Sequence, residues 1–348
     1  NDVRELLGGH AGKLQISPNV RPSLEVEDLE PASNVLASLV TNLRQRQIKG
    51  VDELYNWSSG NLLPTAYAQG RMIRFLSRLY ESTRGLLSVN MGASASTVAA
   101  GFNGELTLGV YPQFGLGENL GAILQHTEIE QIMRWMQLDI SSNTLREFLF
   151  QKSLYPSTIP ATQDELAIMQ AITRQALYLA VRAARTNFPA SAHAARTDLM
   201  PKLDLLIAGG GAIADNGSVG QSLLLLLDAI QPVGIMPFLL DQNNLLPMLG
   251  AAATRSNYLP VQVIESGAFI GMGTVVSVIA SASYGETVLR AKLTYADKTE
   301  VRADVKFGGL EIIPLPSGQT ARLTLSPLRR ADAGLGAGAW RGGTGGGS

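Results

Sequence analysis

The chain contains no cysteine and only three histidines, His10, His126 and His193. The first absence excludes a disulfide scaffold, a cysteine zinc site, an iron–sulfur cluster and a cysteine nucleophile. No two histidines stand at ligand spacing, which argues against a histidine-rich metal site. Charge is scarce as well: 16% of the 348 residues are charged, against about 25% in ordinary domains. Lys and Arg number 28 and Asp and Glu 29, a net charge of -1. Nucleic-acid binders usually advertise a basic face, so no nucleic-acid partner is expected. The longest strongly apolar stretch, Leu223 to Leu227, is far shorter than the roughly 20 residues that a bilayer crossing needs. No membrane partner is expected, and the expected location is cytoplasmic. No Ser-His-Asp set is visible, and the Ser-x-x-Lys and Gly-x-Ser-x-Gly nucleophile motifs are absent.

What the chain has is apolar residues, 45% of the total, and length enough for two domains or one large domain with an appendage. It opens on Asn1 without the basic-then-apolar pattern of a signal peptide. It closes on Gly342-Gly343-Thr344-Gly345-Gly346-Gly347-Ser348. These ends are those expected of a fragment of a longer protein, the tail being an engineered linker or a native glycine-rich loop.

Periodicity divides the chain. Residues 13–22 read as a short strand stopped by prolines. Glu27 to Arg46 carries Leu29, Val35, Leu36, Leu39, Val40 and Leu43 at helical spacing. Asp52 to Trp57 is a second short helix, and Pro64 opens a stronger one with Met72, Ile73 and Leu76 on its apolar side. From Gly85 the pattern becomes a buried strand, a turn of small residues, a strand, a hairpin turn at Asn103-Gly104 and a third strand. Residues 117–138 and 141–152 read as helical. Thr162 to Arg185 is a long helix announced by the capping box Thr162-Gln-Asp-Glu165. A strand over Leu203–Ala208 runs into Gly209-Gly210-Gly211, followed by helices over Val219–Ile230 and from Asn243. After Pro260 β-branched residues alternate. Segments beginning at Val261, Thr274, Thr287, Glu300, Leu310 and Ala321 read as six strands of a small β-barrel or sandwich.

Two glycine turns can hold phosphate. In Asn90-Met91-Gly92-Ala93-Ser94-Ala95-Ser96-Thr97 a buried strand ends in small residues, whose backbone N–H groups can form an anion-binding nest, with hydroxyls from Ser94, Ser96 and Thr97. A tight hairpin of small residues explains the same pattern. Gly209, Gly210 and Gly211 let a ligand lie on the backbone, or simply turn the chain from strand to helix. They match neither the dinucleotide fingerprint nor a Walker A loop. Glu118, after Gly115-Leu-Gly117, heads a segment that can aim a helix N-terminus at such a site. Asp228 and Asp241 are the acids expected nearest the second turn, each equally explained as a helix-end hydrogen-bonding group. His126 reads as part of a solvated helix face.

Two phosphate-type turns in this order resemble the second lobe of the actin/Hsp70/sugar-kinase ATPase superfamily. A closer likeness lies in Leu205-Leu-Ile-Ala-Gly-Gly-Gly, Leu227-Asp-Ala-Ile-Gln-Pro-Val-Gly, Leu240-Asp-Gln-Asn-Asn-Leu-Leu-Pro-Met-Leu-Gly250 and Val261-Gln-Val-Ile-Glu-Ser-Gly-Ala-Phe-Ile-Gly-Met-Gly-Thr. With Asn19-Val-Arg-Pro-Ser-Leu and the Trp57–Ala66 and Gly85–Gly101 stretches, these resemble the glutamate mutase L family, which is unrelated to the mismatch-repair protein also called MutL. The likeness covers nearly the whole chain and the C-terminal half or so of a typical member.

The resemblance implies an actin-like (ribonuclease-H-like) α/β ATPase lobe with a C-terminal β-rich domain. The implied division is 1–84 as the helical end of the first lobe and the interlobe connection, 85–255 as the second lobe, 256–328 as the β domain and 329–348 as a flexible tail. It also implies ATP and Mg²⁺ as cofactors and a B12-dependent mutase subunit as partner, which the protein would help to assemble or reactivate. Asn90, Gly92, Ser94, Ser96 and Thr97 would then contact phosphate, Glu118 would pass close to the nucleotide, and Gly209, Gly210 and Gly211 would face the adenosine. One departure bears on chemistry. The superfamily's second phosphate turn usually reads Asp-hydrophobic-Gly-Gly-x-Thr/Ser; here Asn90 replaces the carboxylate and Ala93 the second glycine. Mg²⁺ prefers charged oxygen ligands, and the Ala93 methyl would crowd a phosphate, so at most weak ATP hydrolysis is expected; ATP binding without turnover and loss of nucleotide binding both remain open. The alternative is a degenerate, non-catalytic interaction scaffold with a vestigial nucleotide site. A metabolite kinase of the same superfamily lacks its catalytic carboxylate here.

Overall fold

The computed structural model describes residues 2–9, 14–24, 27–60, 62–79, 84–189, 192, 199–256, 258–316, 318–328, 331–333 and 340–345. His10 and His193 lie outside them. In chain order the elements are α1 (Asp2–Gly8), α2 (Glu30–Gln47), α3 (Val51–Trp57), α4 (Thr65–Ser77), β1 (Gly85–Met91), β2 (Ser96–Phe102), β3 (Glu105–Tyr111), α5 (Ile129–Met133), α6 (Ser142–Leu154) and α7 (Gln163–Arg185). There follow β4 (Leu203–Gly209), α8 (Gly211–Ala214), α9 (Val219–Ile230), β5 (Gly234–Asp241), α10 (Leu245–Ala252), α11 (Tyr258–Glu265), β6 (Ile270–Ser277), β7 (Thr287–Tyr295), β8 (Glu300–Lys306), β9 (Thr320–Pro327) and β10 (Trp340–Gly345).

The protein is a mixed α/β structure with two sheets. The larger has the order β3-β2-β1-β4-β5-β6, with β1, β4 and β5 parallel and β2, β3 and β6 antiparallel to their neighbours. β1, β2 and β4 are apolar on both faces because both faces are covered. On one side Leu87, Val89, Leu206 and Phe238 pack with Ile172, Leu177 and Val181 of α7 and Leu225 and Leu226 of α9. On the other, Leu86, Ala99, Leu205 and Ile207 pack with Met72, Ile73 and Leu76 of α4 and Leu246 and Leu249 of α10. The helices on this second side are very close: a Cβ on Gly250 of α10 would lie 1.8 Å from the Ala68 carbonyl of α4.

Local chemistry explains the element boundaries. Asn103 and Gly104 have φ of 50° and 82°, both central residues left-handed as a two-residue hairpin turn requires. The Thr162 hydroxyl accepts from the Glu165 N–H at 3.1 Å, opening α7, while the Glu165 carboxylate accepts from Ala161 N–H. Ser141 and Ser218 accept in the same way at α6 and α9.

Several expectations are corrected. Residues 14–20 form no strand. The 117–138 stretch is a short 3-10 helix (Leu120–Gln125) and α5, separated by irregular chain. Val261–Glu265 lies in α11 rather than a strand, since Pro260 fits a first helical turn and Val263 and Ile264 pack on the α4/α10 layer. The Thr274 strand is β6 and extends the larger sheet, so the boundary after residue 255 cuts a sheet in two. Leu310–Ile313 is irregular, followed by prolines 314 and 316, which cannot donate to a ladder. The β-rich part is therefore neither barrel nor sandwich but an open antiparallel sheet of order β10-β9-β7-β8. Within the stretch read as a flexible tail, Trp340–Gly345 pairs with β9, whose free edge offers backbone partners to a glycine-rich strand; Arg329 and Arg330 lie outside the described residues.

Candidate functional site

The carboxyl ends of the parallel strands lie side by side. Asn90, at the end of β1, is in register with Gly209 at the end of β4, and Gly209 with Asp241 at the end of β5. On its other side Asn90 is paired with Thr97 of β2. Open α/β sheets bind ligands outside the carboxyl ends of their strands, and this row forms that edge. Alternation along each strand puts the row on the same face as Leu86 and Leu205, the face of α4 and α10.

Two turns and one helix start meet there. Gly92 to Ala95 forms the first turn, closed by Gly92 N–H donating to Ala95 O at 3.2 Å. The 115–117 segment covers it: Leu116 and Gly117 donate to Gly92 O and Ala93 O at 3.0 and 2.8 Å. A Cβ on Gly115 would lie 2.6 Å from Ala93 O, which explains that glycine. The carbonyls of Gly92, Ala93 and Ala95 are thus committed, whereas the N–H groups of Ala93 and Ser94 donate to no backbone acceptor among the described residues. Both residues are exposed. Backbone donors in this state are suited to an anion.

The second turn is Gly209-Gly210-Gly211. Gly210 has φ of +90°, and a Cβ there would lie 2.4 Å from Met91 O. No other residue fits between the two strand ends. Gly211 is exposed and starts α8.

Asp241 is 3% exposed, and its two carboxylate oxygens accept from Leu245 N–H at 2.7 Å and Leu246 N–H at 2.8 Å, holding the start of α10. Burial raises its pKa above the ordinary carboxylate value, against the opposing pull of the two backbone hydrogen bonds. Asn244, with φ of 53°, is the residue immediately before α10. Its Oδ1 accepts from Asn90 Nδ2 at 2.9 Å. A Cβ on Gly209 would lie 3.5 Å from that same Asn90 nitrogen.

The sequence candidates divide on these positions. Asn90, Gly92, Ser94, Gly209, Gly210 and Gly211 gather at the strand ends. Ser96 is fully buried and turned inward: its hydroxyl donates to Phe114 O at 2.6 Å, so the expected phosphate contact from it is withdrawn. Thr97 lies on the Asn90 face but is only 9% exposed. Glu118 is exposed beside the Gly117–Ala93 contact, and a 3-10 helix from Leu120 replaces the expected α-helix. Asp228 pairs with Arg174 of α7 at 2.9 Å, a packing role. His126 stacks edge-on against Phe114, with centroids 5.2 Å apart. Asn244 and Gly115 escaped the sequence reading. The run Asp241-Gln-Asn-Asn, rich in residues that tolerate left-handed backbone, was the available signal.

The donor set bears differently on the two cofactors. A phosphate group fits the exposed turn and its unoccupied N–H groups. Mg²⁺ does not fit as well: Asn90 is uncharged, and both oxygens of Asp241 already hold α10. No group of three or more potential metal-binding side chains exists among the described residues. No helix among them is long and apolar enough to cross a membrane.

A family model described as MutL protein matches residues 1–267. No curated protein matches the chain.

Proposed function

The chain belongs to the MutL family, that of glutamate mutase L, and from that premise we propose that it is an accessory protein of an adenosylcobalamin-dependent, glutamate-type mutase. In this reading it binds ATP at the carboxyl ends of β1, β4 and β5 and assists assembly or reactivation of the mutase, as related ATPases do for diol dehydratase. The observation that carries the nucleotide part is the in-register row of Asn90, Gly209 and Asp241 beside the open Gly92–Ala95 turn. The order β3-β2-β1-β4-β5, with β2 antiparallel, supports an actin-like lobe.

The residues would divide the work. Ala93 and Ser94 N–H groups, with the Ser94 hydroxyl, would meet phosphate oxygens. The Gly209–Gly211 turn would let the nucleoside lie against the backbone. Asn90 would orient by hydrogen bond and not by charge, its amide held by Asn244. With Asn90 in place of a carboxylate and both oxygens of Asp241 holding α10, the strand-end row offers Mg²⁺ no charged oxygen, and the site favours holding nucleotide over cleaving it.

Calorimetric titration of ATP, with and without Mg²⁺, tests this directly. Micromolar binding with little dependence on Mg²⁺ is expected, with no phosphate release over hours. Absence of heat at millimolar ATP would sink the nucleotide reading and leave the interaction scaffold, which Asn90 and Ala93 favour. Co-elution with a glutamate mutase subunit tests the partner separately.

A further inference from the structure

Asn103 and Gly104 form the two-residue loop of a hairpin in which Phe102 is opposite Glu105. In such a hairpin the two residues flanking the loop exchange both backbone hydrogen bonds. Alternation then commits the N–H and C=O groups of Glu105, Thr107, Gly109 and Tyr111 to β2. Those of Leu106, Leu108 and Val110 point outward, because β3 is the last strand of its sheet. The outward series has defined ends. Gly104 N–H donates to the Ser77 hydroxyl, and Gly104 O accepts from Arg74. At the other end Pro112 has no N–H. Between these ends the backbone groups of Leu106, Leu108 and Val110 have no hydrogen-bond partner among the described residues. The helices cover the faces of β3 and not its edge: the Leu106 and Leu108 side chains pack on the α4 and α10 cluster.

Free edges normally carry a guard against pairing with another chain. β8, an end strand of the smaller sheet, has charges at alternate positions, Glu300, Arg302, Asp304 and Lys306. β6, at the far end of the larger sheet, breaks register with its neighbour. β3 has a single charge, Glu105 at its start, with no proline and no break in register with β2. Val110 on this edge is 46% exposed. The edge also complements itself. When a second β3 lies antiparallel with the two Leu108 residues opposite one another, Leu106 meets Val110 and Glu105 meets Tyr111. Every outward residue of one copy then faces an outward residue of the other, each pair exchanging two hydrogen bonds. The side chains meeting on that face are all apolar. The two Glu105 carboxylates stand at opposite ends of the pairing, whereas a parallel pairing would set these like charges side by side.

We infer that β3 is a docking edge for a second copy of this chain, the two strands pairing about a two-fold axis at Leu108 so that the larger sheet runs on through both copies. Sedimentation of the whole chain over a range of concentrations tests it, a dimer being expected by about 100 μM for an interface of this small size. The absence of cysteine supplies a second reading. Opposed residues of a hydrogen-bonded pair have Cα atoms about 5.5 Å apart, within the roughly 4.4–6.8 Å that a disulfide spans. Oxidation is therefore expected to join two copies of Leu108→Cys but not two copies of Val110→Cys, since Val110 is opposite Leu106. Val110→Lys, at an exposed position, should fold and is expected to raise the dimer dissociation constant about tenfold or more. A chain still monomeric at about 1 mM, a folded Leu108→Cys that does not cross-link faster than Val110→Cys, or a dimer that Val110→Lys leaves unweakened would each overturn the assignment. Should Leu108→Cys fail to fold, the wild-type and Val110→Lys sedimentation decide it.

Discussion

Gly210 leaves β4 with φ of +90° and has the Met91 carbonyl 2.4 Å from where a Cβ would stand. Gly210→Ala combines a left-handed penalty of about 1 kcal/mol with a clash against backbone that cannot swing away. A loss of about 3 kcal/mol is expected, read as a fall in denaturation midpoint. Its neighbours set a pH dependence. Asp241 has a raised pKa because it is buried, so the folded state holds that proton more tightly than the unfolded chain. The associated stability is present below the unfolded value of about 3.9 and is lost as pH rises through the folded pKa. Asp241→Asn keeps an acceptor for one of the two α10 N–H groups and does not titrate. Its cost relative to wild type should therefore shrink between pH 4 and pH 7, which paired urea melts would measure; a cost that grows with pH contradicts the assignment. Asn90→Asp removes the amide donated to Asn244 and brings a second carboxylate toward Asp241. A loss of about 1 kcal/mol at neutral pH, relieved by acid, is expected.

At the scale of elements, caps and turns were the most legible features. The Thr162 box, the Asn103-Gly104 hairpin and the start of α4 after Pro64 are local chemistry and fall where the sequence puts them. Thr162→Ala should cost about 1 kcal/mol through α7 alone, measurable by thermal melting. The 117–138 stretch was illegible because its helically spaced apolar residues, Leu120, Ile123, Ile129 and Ile132, are buried in the main core from two short pieces, a 3-10 turn and α5, rather than from one helix. Val261–Glu265 alternates like a strand, yet tertiary packing of Val263 and Ile264 makes it helical. Of the site, the two glycine turns could be read, since each rests on residues adjacent in sequence. The Asn90–Asn244 hydrogen bond joins residues 154 apart, and no local pattern announces it. Ser96 shows the converse: its type suited a ligand, but strand alternation turns it to the α7 side, where its hydroxyl donates to Phe114 O.

For the whole molecule, the question is whether the two sheets are separate folding units. The smaller sheet buries Leu289, Ala291, Leu293, Ala321, Leu323 and Leu325 on one face, with Ala333 packed against them. Ile235 of β5 and Val276 of β6, both from the larger sheet, pack against that same cluster. β6 also lends Ile270, Met272 and Val275 to the main core, so one strand serves two cores. A four-stranded sheet with one apolar face of this size, in a segment of about 70 residues, rarely stabilises itself. Residues 280–348 alone are therefore expected to lack a cooperative melt, and the whole chain to unfold in one calorimetric transition. Val276→Asp would place a charge between the cores and should separate that transition into two, with the smaller sheet melting first. A stable fold from the isolated segment, or an unchanged single transition in the variant, would mean that the smaller sheet does not depend on β6.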